Sequence, residues 1–208
     1  MDHLLVAPPQ SKALLVLAHG AGAGMRHPFL EKMAQALGER GIATFRYEFL
    51  YMEKHQGRPD PPAIATARVR AAVLEAARAV PGVPLLAGGK SFGGRMTSQA
   101  QAGEPLPGVR GLVFLGFPLH PPGRPGTSRA DHLDAVQIPM LFLQGTRDQF
   151  AGLDLLGPVL TRLGARATLH VVEGGDHSFK VLKRTGRTDA DVLNELADTI
   201  ATWAGTHA

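Results

Sequence analysis

The chain has 208 residues, 44% hydrophobic and 19% charged, which is the make-up of one globular enzyme or binding domain (1–208) and not of a disordered tail. It has no cysteine, which excludes a disulfide framework, thiolate metal sites, iron–sulfur clusters and a cysteine nucleophile. Its 22 basic and 18 acidic residues leave a net charge of +4, and the densest basic stretch, Lys180, Lys183, Arg184 and Arg187, has no interleaved aromatics, so no nucleic-acid partner is expected.

In chain order, Leu4–Ala7 is too short for a signal core and adds at most an edge strand. Ala13–Ala18 is a continuous apolar run, the pattern of a parallel strand covered on both faces. Phe29, Met33 and Leu37 recur at i, i+4 and i+8 and predict a helix that ends at Gly38 or Gly41. Ile42–Arg46 predicts the next buried strand, and the Ala-rich stretch Ala63–Val80, with Val69, Val73 and Val80 on one face, predicts a helix. Leu85–Ala87 is a strand followed directly by a helix over Ser91–Gln101. Leu112–Leu115 is a further strand. The loop after it interleaves Pro118, Pro121, Pro122 and Pro125 with Gly116, Gly123 and Gly126, leaving room only for a short helix around Ser128–Ala135 and none for a cap domain. Pro139–Leu143 is a strand, Leu153–Leu163 a helix that Gly157-Pro158 is expected to break or restart, and Thr168–Val172 another strand buried on both faces. Leu193, Leu196, Ile200 and Trp203 form the stripe of a last helix. Strand–helix alternation of this kind predicts a three-layer α/β fold on a mostly parallel, doubly wound sheet of about six to seven strands. No run approaches the roughly 18 apolar residues of a membrane helix, so a cytoplasmic protein with no membrane partner is expected.

The strongest chemical signal is Gly89-Lys90-Ser91-Phe92-Gly93, between a strand and a helix. A nucleophilic serine at a sharp strand–helix turn needs tiny neighbours, and G-x-S-x-G supplies them; the helix N-terminus behind it favours developing negative charge. A P-loop is excluded because Pro84 stands where its first glycine belongs. A dinucleotide fingerprint in Gly20-Ala21-Gly22-Ala23-Gly24 fails in both registers, with Met25 or His27 in the third glycine position. That stretch instead suits an oxyanion hole built from the N–H groups of Ala21 and of Phe92, with His19 holding the loop by hydrogen bonds. A serine also needs a base, and the base an orienting carboxylate. Asp148, in Gly145-Thr146-Arg147-Asp148, and His177, in Gly174-Gly175-Asp176-His177, each follow a separate strand, in the order Ser, Asp, His. Asp176, adjacent to His177, is expected to diverge from the imidazole. Such residues converge where parallel sheets bind ligands.

Through Leu17–Met25, Phe45–Met52, Gly88–Met96, Gly116–Pro122, Gly145–Phe150 and Gly174–Phe179, the chain resembles the α/β-hydrolases. It is similar to the small dienelactone-hydrolase-like proteins, and most of all to the hydrolase-like domain shared by a testis-expressed protein and a chromatin acetyltransferase complex subunit. The resemblance implies a Ser91–Asp148–His177 triad. Dienelactone hydrolase uses a cysteine where this chain has Ser91, so its substrate does not carry over. The expected function is hydrolysis of a carboxylic ester or related acyl compound through an acyl-serine, with a small-molecule acyl substrate as partner and with no cofactor and no metal. The alternative is a non-catalytic binding module on the same fold. His27, Tyr47, Phe49, Tyr51 and Met52 are candidates to line the pocket, short acyl chains are expected to be preferred, and the oligomeric state stays open.

Overall fold

The computed structural model describes residues 1–208. Seven strands form one sheet: β1 (His3–Val6), β2 (Ala13–Ala18), β3 (Ile42–Tyr47), β4 (Leu85–Lys90), β5 (Val109–Leu115), β6 (Met140–Gly145) and β7 (Ala167–Val172). Their spatial order is β1-β3-β2-β4-β5-β6-β7. β1 runs antiparallel to β3, and every other pairing is parallel. The helices are α1 (Pro28–Gly38), the one-turn α2 (Leu50–Glu53), α3 (Pro62–Ala79), α4 (Phe92–Gly103), α5 (Leu153–Leu163) and α6 (Asp189–His207). No helix is long and apolar enough to cross a membrane.

The sheet divides two cores, which explains the continuous apolar runs. In β2, Leu14, Val16 and Ala18 pack toward α3, α4 and α5, whereas Ala13, Leu15 and Leu17 pack toward α1 and α6. A strand covered on both sides has no polar face to alternate with. β7 departs from this expectation. It is an edge strand on which Leu169 and Val171 are each 37% exposed. Its apolar sequence reflects strand propensity rather than two-sided burial.

The expected break in α5 is also absent. The helix runs through Pro158, with Leu156, Val159 and Leu163 buried along one face, so packing of the apolar face outweighs the lost hydrogen bond. β5 and β6 are joined by residues 116–139, whose one regular element is the 3-10 helix Ser128–Ala135. No cap domain covers the sheet. Because β2 to β7 are parallel, the turns that follow β2, β4, β5, β6 and β7 all emerge at one edge, where ligands bind in such sheets.

Candidate active site

Ser91 follows the last residue of β4 and precedes α4. Its backbone sits at φ 50°, ψ −113°, a region that costs a side-chain-bearing residue about 1–3 kcal/mol and persists only where the surroundings enforce it. The surroundings here are close. A Cβ on Gly89 would lie 2.5 Å from the carbonyl oxygen of Ala18, and one on Gly93 2.6 Å from that of His19. Glycine at both positions lets β4 and α4 close onto the end of β2, and this pushes Ser91 outward.

The structure brings Ser91, His177 and Asp148 into one hydrogen-bonded series. The Ser91 Oγ lies 2.8 Å from His177 Nε2, and His177 Nδ1 lies 2.7 Å from Asp148 Oδ2. A carboxylate only accepts, so the proton belongs on Nδ1 and Nε2 is left to accept from the serine. Asp148 is buried and accepts two further bonds, from Gln144 Nε2 (2.6 Å) and from the N–H of Phe150 (2.8 Å). The Phe150 ring stands 4.4 Å from the imidazole and limits its rotation. Asp176 is turned away. Its Oδ1 accepts from the N–H groups of Ser178 (2.8 Å) and Lys180 (2.9 Å), which closes the turn that carries His177.

The loop after β2 is held from three sides. The Gly22 N–H donates to Tyr51 Oη (2.7 Å), the Met25 N–H to Glu48 Oε1 (2.9 Å), and Arg46 to the Met25 carbonyl (3.0 Å). His19, fully buried, donates through Nδ1 to the Gly20 carbonyl (2.7 Å) and accepts at Nε2 from the Phe49 N–H (3.2 Å). The amide N–H groups of Ala21 and Phe92 donate to no group in the protein, and both residues line the cavity that holds Ser91 and His177.

That cavity has a volume of about 1120 Å³. Its apolar wall comes from α1 and α6, through Phe29, Leu30, Val192, Leu193 and Leu196. Among the candidate lining residues, His27 is there, but Tyr47, Phe49 and Tyr51 are buried in the core. Met52 packs against the same core. Tyr47 ends β3 and the others follow it, and the Tyr51 hydroxyl supports the Gly22 N–H of the loop. No cluster of three or more His, Asp or Glu side chains is placed to hold a metal ion.

The alpha/beta hydrolase domain family model matches residues 11–205. The chain belongs to the alpha/beta hydrolase family. Its fold is dienelactone-hydrolase-like. Dienelactone hydrolase from Anabaena variabilis superposes with a TM-score of 0.75 at 19% identity, over 99% of this chain and 91% of that one. A serine hydrolase homologue from Coxiella burnetii gives 0.74 at 19%, over 96% and 89%. An α/β serine hydrolase without lid from Xanthomonas campestris gives 0.73 at 23%, over 97% and 88%.

Two residues beside this site went unassigned in the sequence. Gln144 is fully buried. It donates to Asp148 and accepts at Oε1 from the Phe117 N–H (3.0 Å); its signal is an amide at the end of an otherwise apolar strand. Lys90 Nζ donates to the carbonyl of His177 (2.5 Å), and burial pushes its pKa down to about 8. A second serine–histidine contact, Ser98 Oγ to His132 Nε2 (2.7 Å), lies outside the cavity lining. Burial, with Arg95 adding repulsion, pushes His132 down to about 4. Ser98 meanwhile donates to the Arg95 carbonyl (2.9 Å).

Proposed function

We propose that this member of the hydrolase family cleaves carboxylic esters through an acyl-serine intermediate. The observation that carries the reading is the series Ser91–His177–Asp148 at 2.8 and 2.7 Å, with the serine held at φ 50°. His177 Nε2 removes the Ser91 proton as Oγ attacks the ester carbonyl carbon. The oxyanion that forms is held by the N–H groups of Ala21 and Phe92, whose bonds strengthen as charge develops. The intermediate collapses, the C–O bond to the alcohol breaks, and the leaving alkoxide takes the proton from His177. Water, deprotonated by the same nitrogen, then attacks the acyl carbon and frees Ser91. Asp148 keeps the imidazole in its working tautomer and stabilises the cation.

A fluorophosphonate probe is expected to label Ser91 in the wild-type protein, which also hydrolyses p-nitrophenyl acetate. Ser91→Ala is expected to lose labelling and all but a residual rate from binding and oxyanion stabilisation. A folded wild-type chain that takes no label and turns over no ester would instead be a non-catalytic binding module.

A further inference from the structure

The wall of the cavity opposite α1 and α6 carries an unusual pair of cations. Arg95 leaves the first turn of α4, four residues after Ser91, and Arg129 stands near the start of the 3-10 helix Ser128–Ala135. Both line the cavity with Ser91 and His177. Both are half-buried. The six other arginines that are not fully exposed each reach a carboxylate or a backbone carbonyl. Among these eight arginines, only the guanidinium groups of Arg95 and Arg129 meet neither a carboxylate nor a carbonyl.

Arg95 lies over the Phe92 ring at 5.9 Å, which supports its flat face and leaves the fork of N–H donors at its edge without partners. Its Nε is buried and unbonded. Burial lowers the pKa of both guanidinium groups, and Arg129 adds repulsion at Arg95. Two desolvated cations held together, without an acid between them, carry a cost that no group of the protein offsets. An entering anion reverses both terms, because guanidinium forks bind oxyanions in two-point, charge-assisted fashion. Of the other charged groups in the lining, Lys90 is committed to the His177 carbonyl and Asp60 to the Tyr51 N–H (3.0 Å), which leaves Lys32 and Lys180 against Asp189.

We propose that Arg95 and Arg129 form an anion subsite of the Ser91 cavity, so that the substrate is an ester bearing an oxyanion group. The subsite rests on the geometry above. The word ester rests on the reading of Ser91 as nucleophile. The apolar wall from α1 and α6 accepts the uncharged part, which makes the substrate polar at one end and apolar at the other.

The test separates binding from turnover. Ser91→Ala is titrated calorimetrically with monomethyl glutarate, with glycerol 3-phosphate, and with neutral dimethyl glutarate. At least one of the two anions is expected to bind about tenfold or more tighter than the neutral diester, as charged hydrogen bonds of ordinary strength require. Which of them does so tells carboxylate from phosphate. Adding Arg95→Met and Arg129→Met should abolish the preference, and Arg95→Lys should restore part of it. In the wild-type protein the ratio of kcat/KM for mono-4-nitrophenyl glutarate over 4-nitrophenyl butyrate reports the carboxylate case. Arg124→Met, exposed and outside the cavity, is expected to leave that ratio unchanged. Should the double variant misfold by circular dichroism, Arg129→Met alone carries the comparison. Equal binding of anions and diester, or a preference that survives loss of the arginines, overturns the subsite. Anion preference in a wild-type protein that cleaves neither ester keeps the subsite and overturns the ester reading.

Discussion

Asp148 and Asp176 show why proximity in sequence is a poor guide to which carboxylate serves an imidazole. Asp176 precedes His177 directly, yet its side chain is committed to two backbone N–H groups of its own turn. Asp148 is 29 residues away and approaches Nδ1 from the end of the neighbouring strand. On the proposed mechanism, an amide at 148 offers no carboxylate to Nδ1–H and permits the wrong tautomer. Asp148→Asn is therefore expected to lower kcat by about 10³–10⁴ with KM little changed. Asp176→Asn keeps one oxygen acceptor for the turn and should stay within about tenfold of wild type. Measuring kcat for both on one ester, with circular dichroism as a folding control, decides between them; the reverse ranking would transfer the orienting role to Asp176.

At the level of elements, the serine and the histidine come from β4 and from the turn after β7, with β5 and β6 between them in the sheet. Lys90 spans that gap. It is the last residue of β4, and its ammonium holds the carbonyl of the residue that supplies the imidazole. Burial favours the neutral amine, so Lys90 loses its proton as pH rises through about 8. The bond to His177 then changes from charge-assisted to neutral and weakens. Ester hydrolysis is expected to show an alkaline limb near pH 8 that disappears in Lys90→Arg, whose guanidinium keeps its charge. Stability has the opposite sign. With the folded pKa below the unfolded one, the unfolded chain binds more protons from about pH 8 up to the ordinary lysine range, so this group's contribution rises with pH there. A wild-type alkaline limb with no loss of thermal stability fits this account. A limb that persists unchanged in Lys90→Arg would refute it.

For the whole molecule, the open top of the sheet governs access. Residues 116–139 hold one 3-10 helix where a lid would have to insert, so no inserted domain covers the Ser91 cavity. The rate on p-nitrophenyl esters is expected to rise smoothly with concentration, and a jump at micelle formation would contradict an uncovered site. The expectation of short acyl chains is changed by the structure. It rested on an uncovered site with little apolar wall, but α1 and α6 provide Phe29, Leu30, Leu193 and Leu196. Burial of each further methylene against such a wall contributes up to about 0.8 kcal/mol. Butyrate and hexanoate esters are therefore expected to be better substrates than acetate, and a series that peaks at acetate would mean that this wall does not contact the acyl group.

What the sequence determined by itself was local or periodic. Apolar runs gave the strands, spacing of three and four residues gave α1 and α6, and the glycines around Ser91 marked the elbow, because steric demands at a sharp turn are written in adjacent residues. The order of Ser91, Asp148 and His177, each after its own strand, followed from the same reading and from the shared edge of a parallel sheet. Tertiary structure decided what depends on packing between distant segments. It placed β7 at an edge with Leu169 and Val171 exposed, and it let α5 continue through Pro158. It also turned Tyr47, Phe49 and Tyr51 into core. Gln144 and Lys90 acquire their roles only from partners 4 and 87 positions away that the fold delivers. The same holds for Arg95 and Arg129: an arginine's type announces charge, but whether a carboxylate or a carbonyl meets it is settled only when all the elements around it are in place.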